Sequence, residues 1–434
     1  MIRALTIFAI GLAASPAFAD AITYQGKIGE LDVVVEFSEQ PLENSNELFG
    51  RYFYVEKGVD IPLHSSPGGR AAIGLAEEVA CDAANNNCPH AQDDPPGEPP
   101  LGARWELDFT RDHTGLEGKW INNGRSQPVW LTSVGRRDFD AAGNVLSMTD
   151  FATGLFYQGT TLTPDTSPYD HLKVTSVPLT VSDPVELDRA RYQYVADPRT
   201  KFQFPRIVDI GSADNAPANA FLEQRHWTMS LDALYCASQR YQGFGWNGYN
   251  SDAGTLGWWD EEQIEVRYLT PTVMSWTEAG SLSCGGAHPY NHYEWHNLDV
   301  AAGTPLDLSL IFSGWVARDY TGATVDLETA RANPRDYQWL PDEKLAAWVK
   351  ANRKTDAELG FDSSSDEDGG CPIDELIDTN LAIGFTGNGD VLFTLGGLPH
   401  VIQACSSDLV QKPITALGDL LAPTAADYFP ELAG

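Results

Sequence analysis

The chain has 434 residues, of which 42% are hydrophobic, so it is long enough for two domains that each bury a core of their own. It contains 61 Asp and Glu residues against 28 Lys and Arg residues, which gives a net charge of -33 at pH 7. A field of this sign opposes binding to nucleic acid and to anionic lipid, and it favours cationic partners.

The N-terminal stretch "MIRALTIFAIGLAASPAFAD" is typical of a secretory signal peptide, with one basic residue, a short apolar run and a small-x-small cleavage site. We expect removal of residues 1–19, with cleavage after Ala19, and a periplasmic or secreted protein that begins at Asp20. No later stretch approaches the roughly 18 to 20 apolar residues that a spanning helix requires. The sequence therefore predicts no membrane span.

Residues 20–165 are predicted to form a small all-β module. In "GELDVVVEF" apolar residues alternate with Asp32 and Glu36, which is the period of a half-buried strand. The segments "LFGRY" (48–52) and "LEGKW" (116–120) share the pattern Leu-x-Gly-basic-aromatic. Each pattern is followed by a leucine thirteen residues after its glycine, at Leu63 and Leu131. This repeat predicts two related hairpins, with glycine where backbones approach closely.

The segment after this module starts with the Pro, Thr and Ser rich junction "TLTPDTSPYD" and predicts a linker and entry strand over residues 166–200. Residues 201–425 are predicted to form a mixed domain with an antiparallel sheet and a few helices. Its predicted helices lie in "NAFLEQRHWTMSLDALYCASQRYQ" and "DEKLAAWVKANRKTDAELG", and its predicted strands lie in "QIEVRYLT", in "TPLDLSLIF" and in a hairpin that turns at Asn388-Gly389. The fold class is therefore α+β.

Six cysteines in an exported chain favour disulfide bonds. Cys81 and Cys88 flank a short loop and are expected to pair. If the C-terminal hairpin turns at Asn388-Gly389, cross-strand partners have residue numbers that add to about 777, close to the 776 of Cys371 and Cys405. Cys236 and Cys284 remain for each other by elimination.

The stretch "SLSCGGAHPYNHYEWHNLD" (281–299) carries three histidines spaced four apart, at 288, 292 and 296. Two glycines and a proline disfavour a helix here, and on a strand alternate residues lie about 6.6 Å apart, too far for all three to bind one metal ion. We expect no metal site. A triad of Ser283, His288 and Asp299 has suitable residue types but lacks the Gly-x-Ser-x-Gly motif.

The run from "VRYLTPTVMSW" through "GGAHPYNHYEWHNLD" to "TPLDLSLIF" resembles the repeated core of a family of exported bacterial proteins, domain-of-unknown-function family 3298. The features that carry the resemblance are the Gly-Gly-Ala-His phrase ending at His288, the pattern Asn297-x-Asp299 followed by Gly303, and "GDVLFTLGGLPHVIQAC" near the C-terminus. In the last of these, His400 takes a position that is usually aromatic. The resemblance covers about residues 200 to 425.

This resemblance implies an accessory or recognition role. The family is found in the lysozyme-sensing anti-sigma factor, whose extracellular part binds lysozyme, and beside the catalytic domain of some peptidoglycan deacetylases. It implies no catalysis, and His288 then serves to fix a hairpin through hydrogen bonds.

The glycine-rich segment "GFGWNGYNSDAGTLGWWD" (243–260) concentrates aromatic residues suited either to ligand binding or to packing over the core. Together with the histidine stretch, it supplies the candidate binding residues Trp246, Tyr249, Trp258, Trp259, His288 and Tyr290.

Two hypotheses of function follow from the sequence. The first is a non-catalytic periplasmic protein that recognises cell-wall material or a cationic wall-acting protein such as lysozyme, without a cofactor. The alternative is a periplasmic hydrolase of envelope polymers that uses His288 or His400 with Glu294 or Asp299 as acid and base.

Overall fold

The computed structural model describes residues 20–38, 48–66, 71–81, 99–138, 161–244, 254–284, 289–361 and 371–432. The expected signal peptide, the candidate residues Trp246, Tyr249 and His288, and Cys88 of the first expected disulfide lie outside these ranges.

The chain divides into two compact units. The N-terminal unit comprises Met1–Ser176 together with the short segment Tyr241–Trp246, and the C-terminal unit comprises Val177–Arg240 and Asn247–Gly434. The structure thus has an all-β barrel at the N-terminus and a mixed second unit, as the α+β prediction requires.

The N-terminal unit is a closed barrel of eight antiparallel strands, in which each strand pairs with the next and the last pairs with the first. The strands are β1 (Asp20–Ile28), β2 (Leu31–Ser38), β3 (Leu48–Tyr54), β4 (Ile61–Ser65), β5 (Ile73–Glu78), β6 (Leu101–Phe109), β7 (Gly115–Asn122) and β8 (Arg125–Asp138).

The barrel core is built by alternate residues of each strand. Val33, Val35 and Phe37 of β2 belong to one buried cluster, together with Trp105 of β6 and Leu131 of β8. Val33, Val35 and Phe37 thus face the core as predicted, because successive side chains of a strand point to opposite faces. The strand is not half-buried, however, since Val34 and Glu36 are buried on the other face.

The two glycines of the sequence repeat lie where neighbouring strands come close. A Cβ atom at Gly50 would stand 2.4 Å from the carbonyl oxygen of Glu36, and one at Gly118 would stand 2.0 Å from that of Glu106. Gly50 pairs with Leu63 across β3 and β4, whereas Gly118 pairs with Val129 across β7 and β8. Both segments form hairpins as predicted, but with different registers.

The segment predicted as a linker begins with a helix, α1 (Pro168–Thr175), that packs on the outside of the barrel. Three acids and three bases are buried where α1 meets the barrel, and all have side chains no more than 3% exposed: Glu36, Arg51, Asp60 and Arg137 of the barrel and Asp170 and Lys173 of α1. Glu36 therefore does not face water, as alternation alone suggested, because α1 covers this part of the outer surface.

In the described part of the C-terminal unit, the strands form four small antiparallel sheets. The first consists of β9 (Thr180–Val181), β10 (Val185–Leu187), β11 (Ala190–Ala196) and β12 (Phe204–Asp209), and the second of β13 (Gln263–Leu269), β14 (Val273–Leu282), β15 (Tyr290–Asp299) and β16 (Thr304–Pro305). The third consists of β17 (Trp315–Arg318), β18 (Thr324–Val325) and β19 (Gln338–Pro341), and the fourth of β20 (Leu381–Thr386), β21 (Asp390–Leu395) and β22 (Asp408–Pro413).

The helices of this unit are α2 (Ala216–Ser238), α3 (Leu327–Ala332), α4 (Glu343–Asn352), α5 (Ile373–Asn380) and α6 (Ala425–Tyr428). The apolar side of α2 packs on one face of the second sheet, where Leu222 and Met229 share a core with Trp276. A second core joins the fourth sheet to α4 and α5. The predicted helices within 219–242 and 342–360 are thus present, although the second ends at Asn352.

The strand predicted in "TPLDLSLIF" is wrong. Only Thr304–Pro305 pairs as a strand, and Leu308–Leu310 forms a 3₁₀ turn. Asp307 caps this turn, because its carboxylate accepts a hydrogen bond from the backbone N–H of Ser309 at 2.9 Å. The alternating leucines therefore fill the core from a turn rather than from a pleated strand.

The C-terminal hairpin turns at Asn388-Gly389 as predicted, but its loop is Gly387–Gly389, so the register differs by one residue from the expected sum of 777. Cross-strand residue numbers add to 776 in the pairs from Leu381↔Leu395 to Thr386↔Asp390, as do those of Cys371 and Cys405. Asn388 and Gly389 have φ values of 67° and 75°, as a tight turn of this type requires. The Cys371–Cys405 disulfide is present with a Cα–Cα distance of 5.5 Å, and so is Cys236–Cys284 at 5.2 Å.

Within the described part of the chain, no helix combines the length and the apolar character that crossing a membrane demands.

Candidate functional site

The β14–β15 hairpin distributes the histidine stretch over two faces of its sheet. Its register places Gly280 opposite His292, Glu278 opposite Glu294 and Trp276 opposite His296. Even-numbered residues of the hairpin share the face that is partly covered by α2, and odd-numbered residues share the other face. We call Glu262, Glu278, His292, Glu294 and His296 the Glu–His cluster.

A buried acid–base pair lies at the centre of this cluster. His292 Nε2 stands 3.0 Å from Glu262 Oε1, and the two side chains are 6% and 0% exposed. Glu262 Oε2 and His292 Nδ1 are buried without a hydrogen-bond partner. Gly280 makes room for the pair, since a Cβ atom there would lie 2.5 Å from Glu262 Oε2.

The environment of His292 favours its charged form. Burial disfavours the imidazolium, but the hydrogen bond and the negative charge of Glu262 outweigh burial and raise the pKa of His292. The ring of Tyr290 stacks on the imidazole, with ring centroids 5.3 Å apart and planes 9° from parallel. Tyr290 thus covers the outer side of the pair.

Glu278 is held by a cation from the helix above the sheet. Arg225 of α2 donates from Nε and Nη2 to its two carboxylate oxygens, each at 2.5 Å, and the Trp276 indole donates at 2.9 Å. His296 Nε2 lies 3.4 Å from Glu278 Oε2. Burial opposes ionisation, but His296 and Arg225 outweigh it and hold the pKa of Glu278 well below its usual range.

One end of the hairpin is fixed by the loop that precedes β13. The Cys236–Cys284 disulfide joins the end of α2 to the residues after β14, and Ser283 N–H donates to the carbonyl of Gly257 at 3.0 Å. At Gly257 a Cβ atom would lie 2.6 Å from the Ser283 carbonyl oxygen. This close contact places Trp258 and Trp259 beside the hairpin end.

The two tryptophans have opposite environments. Trp258 is 42% exposed and has a left-handed backbone with φ 61°, which is unusual for a bulky residue. Trp259 is 7% exposed, and its ring lies 5.7 Å from that of Phe202 in the core. Of these two predicted binding residues, only Trp258 is available to a partner.

Tyr290, a third predicted binding residue, lies at the same end of the hairpin, because it pairs with Leu282, next to Ser283. It is 46% exposed and donates its hydroxyl to Glu294 Oε1 at 2.6 Å. Asp260 and Glu261, two and three residues after Trp258, are exposed. Trp258, Asp260, Glu261, Tyr290 and Glu294 form what we call the aromatic–acidic patch.

The structure does not bring together His400 and Glu294, two of the described residues of the hydrolase hypothesis. His400 Nδ1 lies 3.5 Å from the side-chain amide of Asn291, on the face of β15 opposite to that of Glu294. Asp299 stabilises a turn, accepting from the Tyr428 hydroxyl and from the Ala302 N–H, each at 2.9 Å. These contacts give Asp299 a structural role.

The triad residues Ser283 and Asp299 are also far apart. Asp299 pairs with Val273 at the start of β14, whereas Ser283 follows the last residue of this ten-residue strand. His288 lies outside the described residues, so its place relative to them stays a prediction.

Sequence reasoning missed Arg225, Glu262 and Glu278. The signal for Glu278 was available, because pairing "SWTEAGSL" with "YNHYEWHN" places it opposite Glu294 on the histidine face. No pattern in the sequence predicts which helix residue reaches the sheet, so Arg225 required the tertiary structure.

Over the described ranges, no group of three or more His, Cys, Asp or Glu residues is placed to bind a metal ion.

No protein-family model matches the chain, and no curated protein matches it either. The resemblance to domain-of-unknown-function family 3298 therefore stays a prediction.

Proposed function

We propose that this protein is a non-catalytic recognition protein of the bacterial cell envelope, and that its C-terminal unit binds a cationic wall-acting protein, such as lysozyme, through the aromatic–acidic patch. The observation that carries the proposal is Trp258, an exposed indole on a left-handed backbone, with the exposed acids Asp260 and Glu261 two and three residues further on. Strained, exposed aromatic residues of this kind are found more often at binding surfaces than at inert ones.

The chemistry of the patch suits lysine and arginine side chains. An indole or phenol face attracts a cation, and carboxylates bind guanidinium or ammonium groups through charge-assisted hydrogen bonds. The patch offers Trp258 and Tyr290 for the first interaction and Asp260, Glu261 and Glu294 for the second.

Electrostatic steering supports the same type of partner. The net charge of -33 attracts a cationic protein over a distance of about 10 Å or less at ordinary salt. Arg225, which reaches the Glu–His cluster, is already paired with Glu278. Asp260 and Glu261 are exposed, so their carboxylates can reach an external cation, whereas Glu294 already accepts from the Tyr290 hydroxyl and lies 3.7 Å from His296 Nε2.

A binding titration of the full chain against lysozyme at low and at high salt tests the proposal. We expect measurable affinity at low salt that weakens at high salt. The double variant Asp260→Asn, Glu261→Gln and the single variant Trp258→Ala should each lower the affinity at least tenfold.

A matched control is Tyr320→Ala combined with Glu328→Gln, which removes an aromatic residue that is 98% exposed and an exposed acid elsewhere in the same unit. This control should bind as the wild type does. Absence of lysozyme binding at low salt would overturn the proposal, as would equal losses in the patch and control variants. Binding to peptidoglycan fragments but not to lysozyme would replace the cationic partner by cell-wall material.

A further inference from the structure

One end of the N-terminal barrel contains an open cleft of about 550 Å³. Among the described residues, its lining comes from the end of β5, the start of β6 and the β7–β8 turn: Glu77–Val79, Leu101–Arg104 and Ile121–Gly124. Eight-stranded up-and-down barrels are wide enough to hold one small ligand, and ligand sites commonly have volumes of about 300–1,000 Å³.

Glu77 supplies the charged group of this cleft. It is 8% exposed, and one oxygen, Oε1, accepts three hydrogen bonds from aromatic side chains inside the barrel. The donors are the Tyr52 hydroxyl at 2.8 Å, the Trp105 indole at 2.7 Å and the Trp120 indole at 2.5 Å. Burial raises the pKa of Glu77, and the three donors on Oε1 oppose this effect while they orient the carboxylate.

The other oxygen of Glu77 has no such partner. Across the ranges that the structure describes, Oε2 accepts no hydrogen bond, although three donors crowd Oε1. Glu77 lines the cleft, and Oε2 is not one of the fully buried polar atoms that lack a partner, so water or a ligand in the cleft can reach this oxygen. The cleft therefore presents one oriented acceptor whose natural complement is a donor that carries positive charge.

Two other charged residues, Glu78 and Arg104, belong to the described lining of the cleft, and neither of them pairs with Glu77 Oε2. Glu78 is already engaged, with Oε1 2.5 Å from His64 Nε2 and Oε2 accepting from the Gly243 N–H at 3.0 Å. Arg104 stands between Ala103 and Trp105, both buried in the barrel, so its own exposed side chain lies on the outer face. Glu77 is the carboxylate left to bind a ligand.

We infer that this cleft binds a small ligand through a primary ammonium or guanidinium group, which donates to Glu77 Oε2. The inference concerns the barrel alone and does not depend on the partner proposed for the C-terminal unit. The asparagine side chains and backbone groups of the β7–β8 turn provide polar surface for the rest of such a ligand.

Indole NMR signals give a direct test, because the Trp105 and Trp120 N–H groups donate to the same carboxylate. Butylamine and butylguanidine are titrated into the ¹⁵N-labelled full chain, with butanol as the neutral probe, and the two signals are assigned with Trp105→Phe and Trp120→Phe. We expect both signals to shift saturably with the cations and not with butanol.

Glu77→Gln retains an acceptor for the three donors but removes the charge, so it should weaken butylamine binding at least tenfold. The matched control Glu117→Gln removes an exposed carboxylate from β7 of the same barrel and should leave binding unchanged. Folded Glu77→Gln protein that still binds butylamine as the wild type does would overturn the inference. So would a wild type whose two indole signals do not respond, or respond equally to butanol, and this result needs no variant.

Discussion

At the level of single residues, Asp232 of α2 is an acid whose pKa is changed by burial. Burial raises its pKa to about 7, against a smaller opposing effect of Arg225. Because the folded-state pKa is above the unfolded value of about 4, protonation of Asp232 favours the folded state. This contribution is fully present below about pH 4 and is lost as the pH rises towards 7.

The change Asp232→Asn should remove this dependence on pH. Relative to the variant, the wild type should lose about 2 to 4 kcal/mol in free energy of unfolding between pH 4 and pH 8. Urea unfolding at both pH values measures the difference. The exposed Asp183→Asn serves as control, and equal pH profiles for wild type and Asp232→Asn would contradict the prediction.

Substitution of Trp258 can separate an effect on binding from an effect on stability. Its left-handed backbone, with φ 61°, costs about 1 to 3 kcal/mol for a residue with a side chain and little for glycine. We expect Trp258→Gly to leave the thermal midpoint within a few degrees of the wild type while binding to lysozyme falls at least tenfold. A large drop in the midpoint would show that the indole stabilises the fold.

Among the elements, α1 is held on the barrel both by apolar contacts, of Tyr169 with Val34 and Phe53, and by buried charged contacts. Asp170 accepts from Arg51 Nη2 at 3.1 Å and from Arg137 Nη1 at 3.2 Å, and all three side chains are nearly inaccessible. The two arginines, together with Lys173, hold the pKa of Asp170 well below its usual range even though burial opposes this. Stability from Asp170 is therefore present above about pH 4 and is lost as the pH falls below that value.

Removal of Asp170 should be severe, because it leaves two buried arginines with one acid fewer. We expect Asp170→Ala to lower the free energy of unfolding of the barrel by about 3 to 5 kcal/mol. Hydrogen exchange of the β2 and β3 amides reports this unit separately from the other. Asp165→Ala, at an exposed position before α1, should change protection by less than about 0.5 kcal/mol. Similar effects of both variants would contradict the assignment.

The C-terminal hairpin is the element whose covalent link is easiest to test. The Cys371–Cys405 disulfide spans 34 residues, so in the chain-entropy model its loss should lower the free energy of unfolding by about 3 to 4 kcal/mol. Comparison of the double variant Cys371→Ser, Cys405→Ser with the wild type by thermal unfolding measures the change. An unchanged midpoint would contradict the prediction, because it would show that the disulfide does not restrict the unfolded chain.

At the scale of the whole molecule, the net charge of -33 should govern association rates. Steering of this kind is screened within about 10 Å at 0.1 M salt, so the association rate with lysozyme should fall at least tenfold between 10 mM and 300 mM NaCl. The dissociation rate should change much less, because it reflects short-range contacts. Stopped-flow fluorescence separates the two rates, and a rate of association independent of salt would contradict a charge-driven encounter.

The sequence by itself determined the features that depend on local pattern. Alternation in β2, the helix over residues 219–238 and the Asn388-Gly389 turn follow from side-chain period and from the φ values that those residues tolerate. The Cys371–Cys405 pair is confirmed as well, but the hairpin ladder ends at Leu381↔Leu395 and α5 separates Cys371 from β20, so the register of the hairpin alone does not fix this pair.

Only the tertiary structure decided which side chains meet across elements. Closure of the barrel, the burial of Glu36 beneath α1, the reach of Arg225 to Glu278 and the three donors on Glu77 join residues that are distant in sequence. The same holds for Trp258 and Trp259, which are adjacent in the chain but differ in exposure because the backbone turns between them. Periodicity specifies the face of an element on which a residue lies, whereas the partner of that face depends on how the elements pack.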